Sequence, residues 1–397
     1  MPVDMPEDKQ QNAIGYCLGE TSVDVFLKQY WQKKPLVIRN AFANLQSPIT
    51  AEELAGLACE ENVNARLVLE RDGDYPWQVE FGPFAESRFG DLPQSHWSLL
   101  VSDVEKHLPE TKALLKPFRF IPDWRVDDLM ISYAPTGGSV GAHTDAYDVF
   151  LIQLSGQRLW KISEVFSEET LEDVDLCILK EFAAQDEWLM NAGDMLYLPP
   201  NVAHHGIAQE HDNPCMTASV GFRAPSLKTI TSDYVNYLNE NVHDDTRYSD
   251  ASATLPEHHA EISDQTVFQF VEYLKQGLSI DHEQVKTWLG QYCSDNSTYE
   301  DMLDEQQLDD YSELAELTAR YSFEQSPYSN FLFGTSAQTT LLFVNGKRYE
   351  TSQAFAEAIC DDEQLDFKNL QQVMTENDRE ILLTLFNNGA VVAIELP

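Results

Sequence analysis

Basic residues are scarce in this chain, and their scarcity argues against one large class of partners. The 397 residues include 26 Lys and Arg against 66 Asp and Glu, which gives a formal net charge of −40. A surface of this sign repels the phosphates of nucleic acids, so direct nucleic-acid binding is not expected. The same charge attracts a basic protein partner and speeds the encounter with it, although acidity also serves solubility alone.

Paired cysteines and long apolar runs are missing as well. The six cysteines stand singly, without a Cys-x-x-Cys pair, so neither a structural zinc site nor a redox motif is indicated. Segment 1–8 is polar and acidic and lacks the regions of a signal peptide. No apolar run approaches the roughly 20 residues that span a bilayer. We therefore expect a cytoplasmic protein that binds no membrane.

Short apolar segments separated by Gly and Pro turns fill the first half of the chain. Thr21-Ser22 and Thr50 are predicted to cap two early helices. The strand-like segments are 36–38, 129–133, 149–154, 158–162, 195–198 and 217–222. A Ser-Gly turn directly joins two of them, 149–154 and 158–162, and predicts a hairpin. This succession favours an antiparallel double-sheet barrel of the jelly-roll type.

The apolar periodicity becomes helical after Pro225. Segments 226–243 and 264–293 carry aromatic and aliphatic side chains at helical spacing, which predicts a helical domain. We expect these apolar stripes to pack within the chain or between two copies of it.

The tail changes pattern again. Asn345-Gly346 is the strongest short signal for a β-hairpin, and it lies between Leu341-Leu342-Phe343-Val344 and Lys347-Arg348-Tyr349. Two helical patterns and a final strand follow at 352–360, 378–387 and 391–394. They predict a small α+β unit of the winged-helix type. The predicted domains are accordingly a catalytic domain, a helical domain and a C-terminal domain at 1–225, 226–305 and 306–397.

Two histidines and one aspartate carry the strongest chemical signal. His143 and Asp145 are two residues apart, so on an extended segment both side chains leave the same face. His204 and His205 follow a Pro-Pro pair beyond a later strand; only one of them can point to the same metal, and the spacing favours His204. Two imidazoles and one carboxylate on one face of Fe(II) leave the other face open for a cosubstrate and O2. An isolated His-x-Asp is more often a buried hydrogen-bonded pair, but the additional histidine favours an oxygenase.

An arginine on the next strand indicates an anion nearby. Alternation places Arg158 and Trp160 on one face of their strand and Leu159 on the other. If Arg158 faces the barrel interior it requires an anion, because an unpaired buried charge is costly. A dicarboxylate would bind it bidentately, whereas a surface position would need no ligand. Ser132, on the strand before the metal loop, could donate a hydrogen bond to the same carboxylate.

Together these motifs resemble the JmjC-type, cupin-fold 2-oxoglutarate oxygenases. The resemblance is carried by the following segments: His143-Thr144-Asp145, Gly156-Gln157-Arg158-Leu159-Trp160, Pro199-Pro200 with His204, and Ser219-Val220-Gly221-Phe222-Arg223-Ala224-Pro225. Within that family the chain is most similar to the bacterial ribosomal oxygenases, which hydroxylate an arginine of a large-subunit ribosomal protein.

The resemblance implies a fold class and a set of site residues. It implies a mainly β catalytic domain (a double-stranded β-helix or jelly roll of cupin/JmjC type), an α-helical dimerisation domain and a small α+β winged-helix-like C-terminal domain. It also implies Fe(II) held by His143, Asp145 and His204, and 2-oxoglutarate held by Arg158 with help from Ser132. O2 is the second cosubstrate. The implied partners are a basic ribosomal protein as substrate and a second copy in a homodimer.

Acidic residues near this site suggest how a basic substrate is recognised. Asp127, Asp128 and Asp148 would form an acidic mouth that holds a guanidinium through fork-shaped hydrogen bonds. Alternatively, Asp127 and Asp128 are ordinary turn carboxylates. Other functions stay open. They are hydroxylation of a ribosomal histidine or a small molecule, demethylation of an N-methyl group, and an interaction role for a metal-binding cupin without catalysis.

Overall fold

The computed structural model describes most of the chain, and every structural statement below concerns these residues. They are 17–70, 77–172, 174–241, 247–249, 260, 262–278, 280–336 and 339–396. Segment 1–8 and the last two positions of the predicted helix 226–243 lie outside the described residues. The chain divides into two compact units, Met1–Ala224 and Pro225–Pro397.

The first unit is built from short helices and eleven described strands. Its helices are α1 (Val23–Gln29), α2 (Ala51–Leu57), α3 (Glu86–Gly90) and α4 (Val104–His107). Its strands are β1 (Leu36–Ile38), β2 (Ala65–Glu70), β3 (Trp77–Phe81), β4 (Trp97–Val101), β5 (Val126–Ala134), β6 (Asp148–Ser155), β7 (Gln157–Ser163), β8 (Asp186–Asn191), β9 (Met195–Leu198), β10 (Ala203–Ala208) and β11 (Cys215–Phe222). Of the predicted pair Thr21-Ser22, it is Ser22 that caps α1, and Thr50 caps α2 as predicted.

The strands form two antiparallel sheets, which confirms the predicted double-sheet barrel. The large sheet has the order β1-β9-β6-β11-β5-β4-β2-β3, and the small sheet has the order β10-β7-β8. Strand β6 is buried on both faces: Phe150 belongs to a core with Phe26 of α1, and Leu151 belongs to another with Trp160 of β7. A strand covered on both faces reads as one continuous apolar run.

The predicted hairpin between 149–154 and 158–162 is wrong. Strand β6 pairs with β9 and β11 in the large sheet, whereas β7 pairs with β8 and β10 in the small one. The chain changes sheet at Gly156, where φ is +62° and an added Cβ would lie 2.7 Å from the Pro214 carbonyl oxygen. Glycine is therefore required at this position for a corner of the barrel, where successive strands enter different sheets.

The second unit begins with long helices and ends in a mixed α+β part. Its helices are α5 (Leu227–Asn241), α6 (Asp264–Gly277), α7 (His282–Ser294), α8 (Tyr311–Leu317), α9 (Gln353–Cys360), α10 (Phe367–Val373) and α11 (Glu376–Asn387). Its strands are β12 (Tyr321–Gln325), β13 (Phe331–Thr335), β14 (Thr340–Val344), β15 (Lys347–Thr351), β16 (Gln364–Leu365) and β17 (Val391–Glu395). Across the described helices of both units, none is long and apolar enough to cross a membrane.

The tail confirms the predicted hairpin at Asn345-Gly346. These residues join β14 to β15 with φ values of 49° and 74°, both in the left-handed region that a two-residue turn with a matching twist requires. The sheets of this part have the orders β16-β12-β17 and β13-β14-β15. Helices α8 and α10 and strands β12, β13 and β16 were not predicted.

Candidate metal centre

Backbone hydrogen bonds hold the two histidines side by side. The His143 N–H donates to the His204 carbonyl at 3.0 Å, and the His204 N–H donates back to the His143 carbonyl at 2.9 Å. In the turn before β10, the Asn201 N–H donates to the Asp145 carbonyl at 2.8 Å. The loop after β5 is thereby tied to β10 and to the turn before it, although sixty residues of sequence separate the two segments.

The side chains of His143, Asp145 and His204 converge. Their candidate ligand atoms all lie within 4.8 Å of one another, and His204 Nε2 is 3.5 Å from Asp145 Oδ2. His143 Nδ1 is 3.0 Å from the Gly141 carbonyl oxygen, and His204 Nδ1 is 2.9 Å from that of Val202. Because a carbonyl oxygen only accepts, each Nδ1 carries the hydrogen and each Nε2 keeps its lone pair for a metal.

The neighbouring histidine is not part of this cluster. The His205 ring packs against Phe182, with ring centroids 6.1 Å apart, and burial lowers the pKa of His205 to about 4. Burial and the nearby His143 also hold the pKa of His204 below its usual value, which favours the neutral imidazole that a metal needs. The structure thus brings His204, and not His205, to His143 and Asp145.

A cavity of about 390 Å³ opens beside the three side chains. This volume lies within the range of small-molecule sites. Both sheets of the first unit contribute to its walls, the large one through β5, β6 and β11 and the small one through β7 and β10.

Arg158 lies inside this cavity wall, as the interior alternative predicted. It is 4% exposed, and its Nε donates to Thr217 Oγ1 at 3.0 Å. The Thr217 hydroxyl in turn donates to Gln153 Oε1 at 3.1 Å. Within the described part of the chain, Arg158 Nη2 is buried without a hydrogen-bond partner. A buried, unpaired guanidinium nitrogen is what a carboxylate ligand would satisfy, so the residues present fit a dicarboxylate such as 2-oxoglutarate.

Sequence analysis missed the two residues that orient Arg158. Thr217 and Gln153 are buried polar side chains on the neighbouring central strands β11 and β6. The available signal was a polar residue within each otherwise apolar strand. Two such positions become informative only when the register pairs them, as it does here.

Ser132 lines the same cavity and is 9% exposed. Its hydroxyl donates to the Thr217 carbonyl at 3.3 Å. It reaches a cosubstrate carboxylate only by rotating away from that carbonyl, so its assisting role stays a prediction.

The predicted place of Asp148 at an acidic mouth is wrong. Asp148 is fully buried and accepts hydrogen bonds from the Tyr197 hydroxyl at 2.6 Å and from Gln32 Nε2 at 3.0 Å. Arg125 Nη2 lies 3.5 Å from the same carboxylate. Asp148 follows Asp145 by only three residues, but at the start of β6 its side chain points into the protein core.

Asp127 and Asp128, although adjacent in sequence, have different environments. The Asp127 side chain is 54% exposed and pairs with Arg223 at 3.3 Å. The Asp128 carboxylate lines the cavity, where burial, reinforced by the charges of Asp103 and Asp127, raises its pKa to about 7. Gly221 gives it room, since an added Cβ there would stand 3.2 Å from Asp128 Oδ1.

The comparisons with known proteins agree with this geometry. The family model of the JmjC domain matches residues 113–230, and that of the ROXA-like winged helix matches residues 276–391. The Escherichia coli ribosomal protein uL16 3-hydroxylase is 39% identical over 270 residues, which cover 68% of this chain and 70% of the relative. The chain belongs to the JmjC-type ribosomal oxygenases.

Other relatives of this oxygenase support the assignment. A probable ribosomal oxygenase of Haemophilus influenzae is 39% identical over 230 residues, or 55% of this chain and 54% of that protein. A crystal structure of E. coli YcfD aligns with a TM-score of 0.82 and 30% identity, covering 94% of this chain and 99% of the other. The complex of YcfD with cobalt and 2-oxoglutarate aligns with a TM-score of 0.77 and 31% identity, over 93% and 97%.

Family membership confirms the predicted fold class and enzyme class. The oxygenase has a JmjC, cupin-like β domain, a helical part and a winged-helix part, and it belongs to the 2-oxoglutarate-dependent dioxygenases. The predicted cofactor set of iron, 2-oxoglutarate and O2 is confirmed at the level of this class.

Proposed function

We propose that this oxygenase hydroxylates an arginine side chain of a basic large-subunit ribosomal protein, using Fe(II), 2-oxoglutarate and O2. The observation that carries the proposal is the arrangement around one cavity. It holds three converging side chains of metal-ligating type, a buried arginine with an unpaired nitrogen and a carboxylate that lines the cavity. The name of the E. coli relative, a 3-hydroxylase of ribosomal protein uL16, supports the substrate class.

His143, Asp145 and His204 would hold Fe(II) through two Nε2 atoms and one carboxylate oxygen. When bound, the iron with 2-oxoglutarate and O2 supplies the oxidising power that hydroxylates an unactivated C–H bond. The protein contributes ligand orientation, because the Gly141 and Val202 carbonyls fix both imidazole rings.

Arg158 would bind the distal carboxylate of 2-oxoglutarate with the nitrogen that is otherwise unpaired. Thr217 fixes the guanidinium plane by accepting from Nε, and Gln153 fixes the Thr217 hydroxyl. Ser132 would add a hydrogen bond after rotation of its hydroxyl. Trp160, on the same face of β7 as Arg158, closes this side of the cavity with its ring.

Asp128 would receive the substrate guanidinium. Its carboxylate faces the cavity, and Tyr147, whose pKa is raised by burial, lies beside it. An arriving cation favours the ionised carboxylate and so lowers its pKa on binding. The net charge of −40 would draw a basic ribosomal protein toward the enzyme, and added salt would weaken that attraction.

We infer the assembly and location from the same family likeness. The proposed domains are the catalytic domain 1–225, the helical dimerisation domain 226–305 and the winged-helix-like domain 306–397. Helix α6 carries exposed apolar side chains along one side, which a second copy would cover: Val267, Phe270, Val271 and Leu274. The proposed location is the cytoplasm, where ribosomal proteins are made.

The test is turnover with a ribosomal substrate. The purified enzyme is incubated with Fe(II), 2-oxoglutarate and arginine-containing peptides of uL16, and the products are analysed by tandem mass spectrometry. We expect one arginine to gain the mass of one oxygen atom. His143→Ala should abolish the gain, whereas His211→Ala, at an exposed histidine outside the cavity, should leave it unchanged.

Four outcomes would contradict the proposal. Oxygen on a histidine of a ribosomal protein would identify a histidine hydroxylase, and loss of an N-methyl group would identify a demethylase. Ribosomes from a strain that lacks this enzyme provide unmodified substrate. If neither the peptides nor these ribosomes gain oxygen, the substrate is a small molecule or the protein only binds metal. If the His143→Ala variant still turned over 2-oxoglutarate, His143 would not be a ligand of the catalytic iron, and the proposed iron site would be wrong.

A further inference from the structure

The turn between β4 and α4 holds the Asp128 carboxylate. Asp103, the residue before α4, donates its backbone N–H to this carboxylate. Asp103 adopts a left-handed conformation, with φ 55° and ψ 33°. Few residues other than glycine accept this conformation, and Asp and Asn tolerate it best. A strained residue of this kind persists only where its surroundings hold it in place.

Lys106 is the neighbour that holds Asp103. Lys106 Nζ lies 3.1 Å from Asp103 Oδ1, and the two side chains are only 10% and 20% exposed. The Lys106 backbone N–H also donates to the Asp103 carbonyl at 3.0 Å. Lys106 therefore fixes both the side-chain carboxylate and the backbone carbonyl of Asp103. Because this ion pair is little exposed, salt screens it only weakly.

We propose that Asp103 and Lys106 form a positioning pair that orients Asp128 toward the cavity and sets the pH range in which it binds a substrate guanidinium. The proposal rests on the proposed function, because that function is what assigns Asp128 to a cationic substrate. Asp103 and Lys106 touch no reacting atom and act through Asp128.

The two members of the pair act on Asp128 in opposite directions. The negative charge of Asp103 raises the pKa of Asp128, together with burial and Asp127, whereas the positive charge of Lys106 lowers it. The charges of Asp103 and Lys106 thus have opposing effects on the pKa of Asp128. The geometry of the pair also directs the Asp103 N–H toward the Asp128 carboxylate. Other charged or titratable groups lie near this carboxylate. Arg66 of β2 lines the same cavity, as do Asp145 and Tyr147 of the loop before β6. Glu105 of α4 and Arg223 after β11 bond to the neighbours of Asp128 in β5, Leu129 and Asp127.

Glu105 needs a separate control because it titrates in the same range. Burial, followed by the charge of Asp103, raises the pKa of Glu105 to about 7, and its Oε2 accepts the Leu129 N–H at 3.1 Å. Glu105 does not line the cavity, so its titration should not govern binding of a cation there. Asp128→Asn separates the two groups: it should remove the pH dependence of binding, whereas Glu105→Gln should keep it.

The experiment measures the affinity of a fluorescent arginine-containing uL16 peptide by anisotropy across the neutral pH range. Asp103→Asn keeps a residue that tolerates the left-handed conformation and removes the negative charge. It should move the midpoint of pH-dependent binding to lower pH. Lys106→Gln removes the positive charge and should move the midpoint to higher pH. On the alkaline side, where Asp128 is ionised throughout, both variants should bind roughly threefold more weakly, because Asp128 is less well oriented.

The opposite shifts separate this role from simple loss of structure. Midpoints that move in the same direction, or that do not move, would overturn the positioning pair while leaving the proposed function intact. Lys28→Gln, in the exposed pair with Asp24, should leave the titration unchanged. If the unmodified enzyme neither binds nor oxidises the arginine peptide, the proposed function fails and the pair's role fails with it.

Discussion

At the scale of single residues, the cavity depends on side chains that hold other side chains. Arg158 is the residue proposed to bind an anion, and its guanidinium plane is set by Thr217, whose hydroxyl is in turn set by Gln153. A chain of this kind fixes one guanidinium nitrogen and leaves another facing the cavity. We therefore expect binding of the 2-oxoglutarate carboxylate to depend on the Thr217 hydroxyl as well as on the charge of Arg158.

This chain predicts the effect of Thr217→Val. The substitution keeps the shape of the side chain and removes the hydroxyl that accepts from Arg158 Nε. Hydrogen bonds to charged groups contribute about 1.5–3 kcal/mol, so we expect the KM for 2-oxoglutarate to rise roughly tenfold. The kcat at saturating 2-oxoglutarate should change little. Steady-state kinetics with varied 2-oxoglutarate measures both constants.

The matched control is Thr111→Val. Thr111 is also buried and also uses its hydroxyl, donating to the Leu108 carbonyl at 2.7 Å, but it lies outside the cavity. It should lower stability without changing the KM for 2-oxoglutarate. Equal KM effects from the two variants would mean that Thr217 acts only through stability.

At the scale of elements, β6 links the site to the core. It begins at Asp148, three residues after the candidate ligand Asp145. The buried Asp148 carboxylate ties that strand to the residues after α1 through Gln32 and to β9 through Tyr197. The position at which β6 enters the sheet is therefore fixed by buried polar contacts inside an apolar core, and with it the end of the loop that carries His143 and Asp145.

Removing the Asp148 carboxylate should cost stability. Asp148→Ala leaves Arg125, whose side chain is 16% exposed, without its buried partner, and breaking such a pair costs roughly 3 kcal/mol. We expect the free energy of unfolding to fall by about this amount, measured by urea denaturation with tryptophan fluorescence. Asp24→Ala, in an exposed ion pair with Lys28, should have little effect. If Asp148→Ala instead raised the KM for substrate at unchanged stability, Asp148 would belong to the substrate site after all.

These elements also show what a sequence can predict and where prediction stops. The turn at Asn345-Gly346 was predictable because one dipeptide determines it locally. The convergence of His143, Asp145 and His204 was predictable because residues of these types at this spacing suit a metal. The β6–β7 hairpin failed because a glycine corner and a glycine hairpin have the same local signature. Only long-range pairing with β9 and β11 distinguishes them. The same limit placed Asp148 at the mouth, since burial of one carboxylate depends on partners far along the chain.

At the scale of the whole molecule, net charge and exposed apolar surface have opposite effects on self-association. A net charge of −40 keeps copies of the chain apart and attracts basic partners. Self-association therefore requires a local apolar surface large enough to outweigh the repulsion. Along α6, the side chains at 267, 270, 271 and 274 are between 42% and 58% exposed in a single chain. Their spacing of three and four residues aligns them on one side of the helix.

The proposed homodimer predicts a specific response to a charge on that side. Leu274→Glu places a carboxylate in the centre of an apolar contact between two already acidic chains, so we expect sedimentation velocity to show monomer where the unmodified protein is dimeric. Gln276→Glu adds the same charge at an exposed position on the opposite side of α6 and should remain dimeric. Higher salt should strengthen the dimer by screening repulsion, as expected for an apolar contact between like-charged chains. An unmodified protein that sediments as a monomer, or a dimer that survives Leu274→Glu, would show that α6 is covered by something other than a second copy.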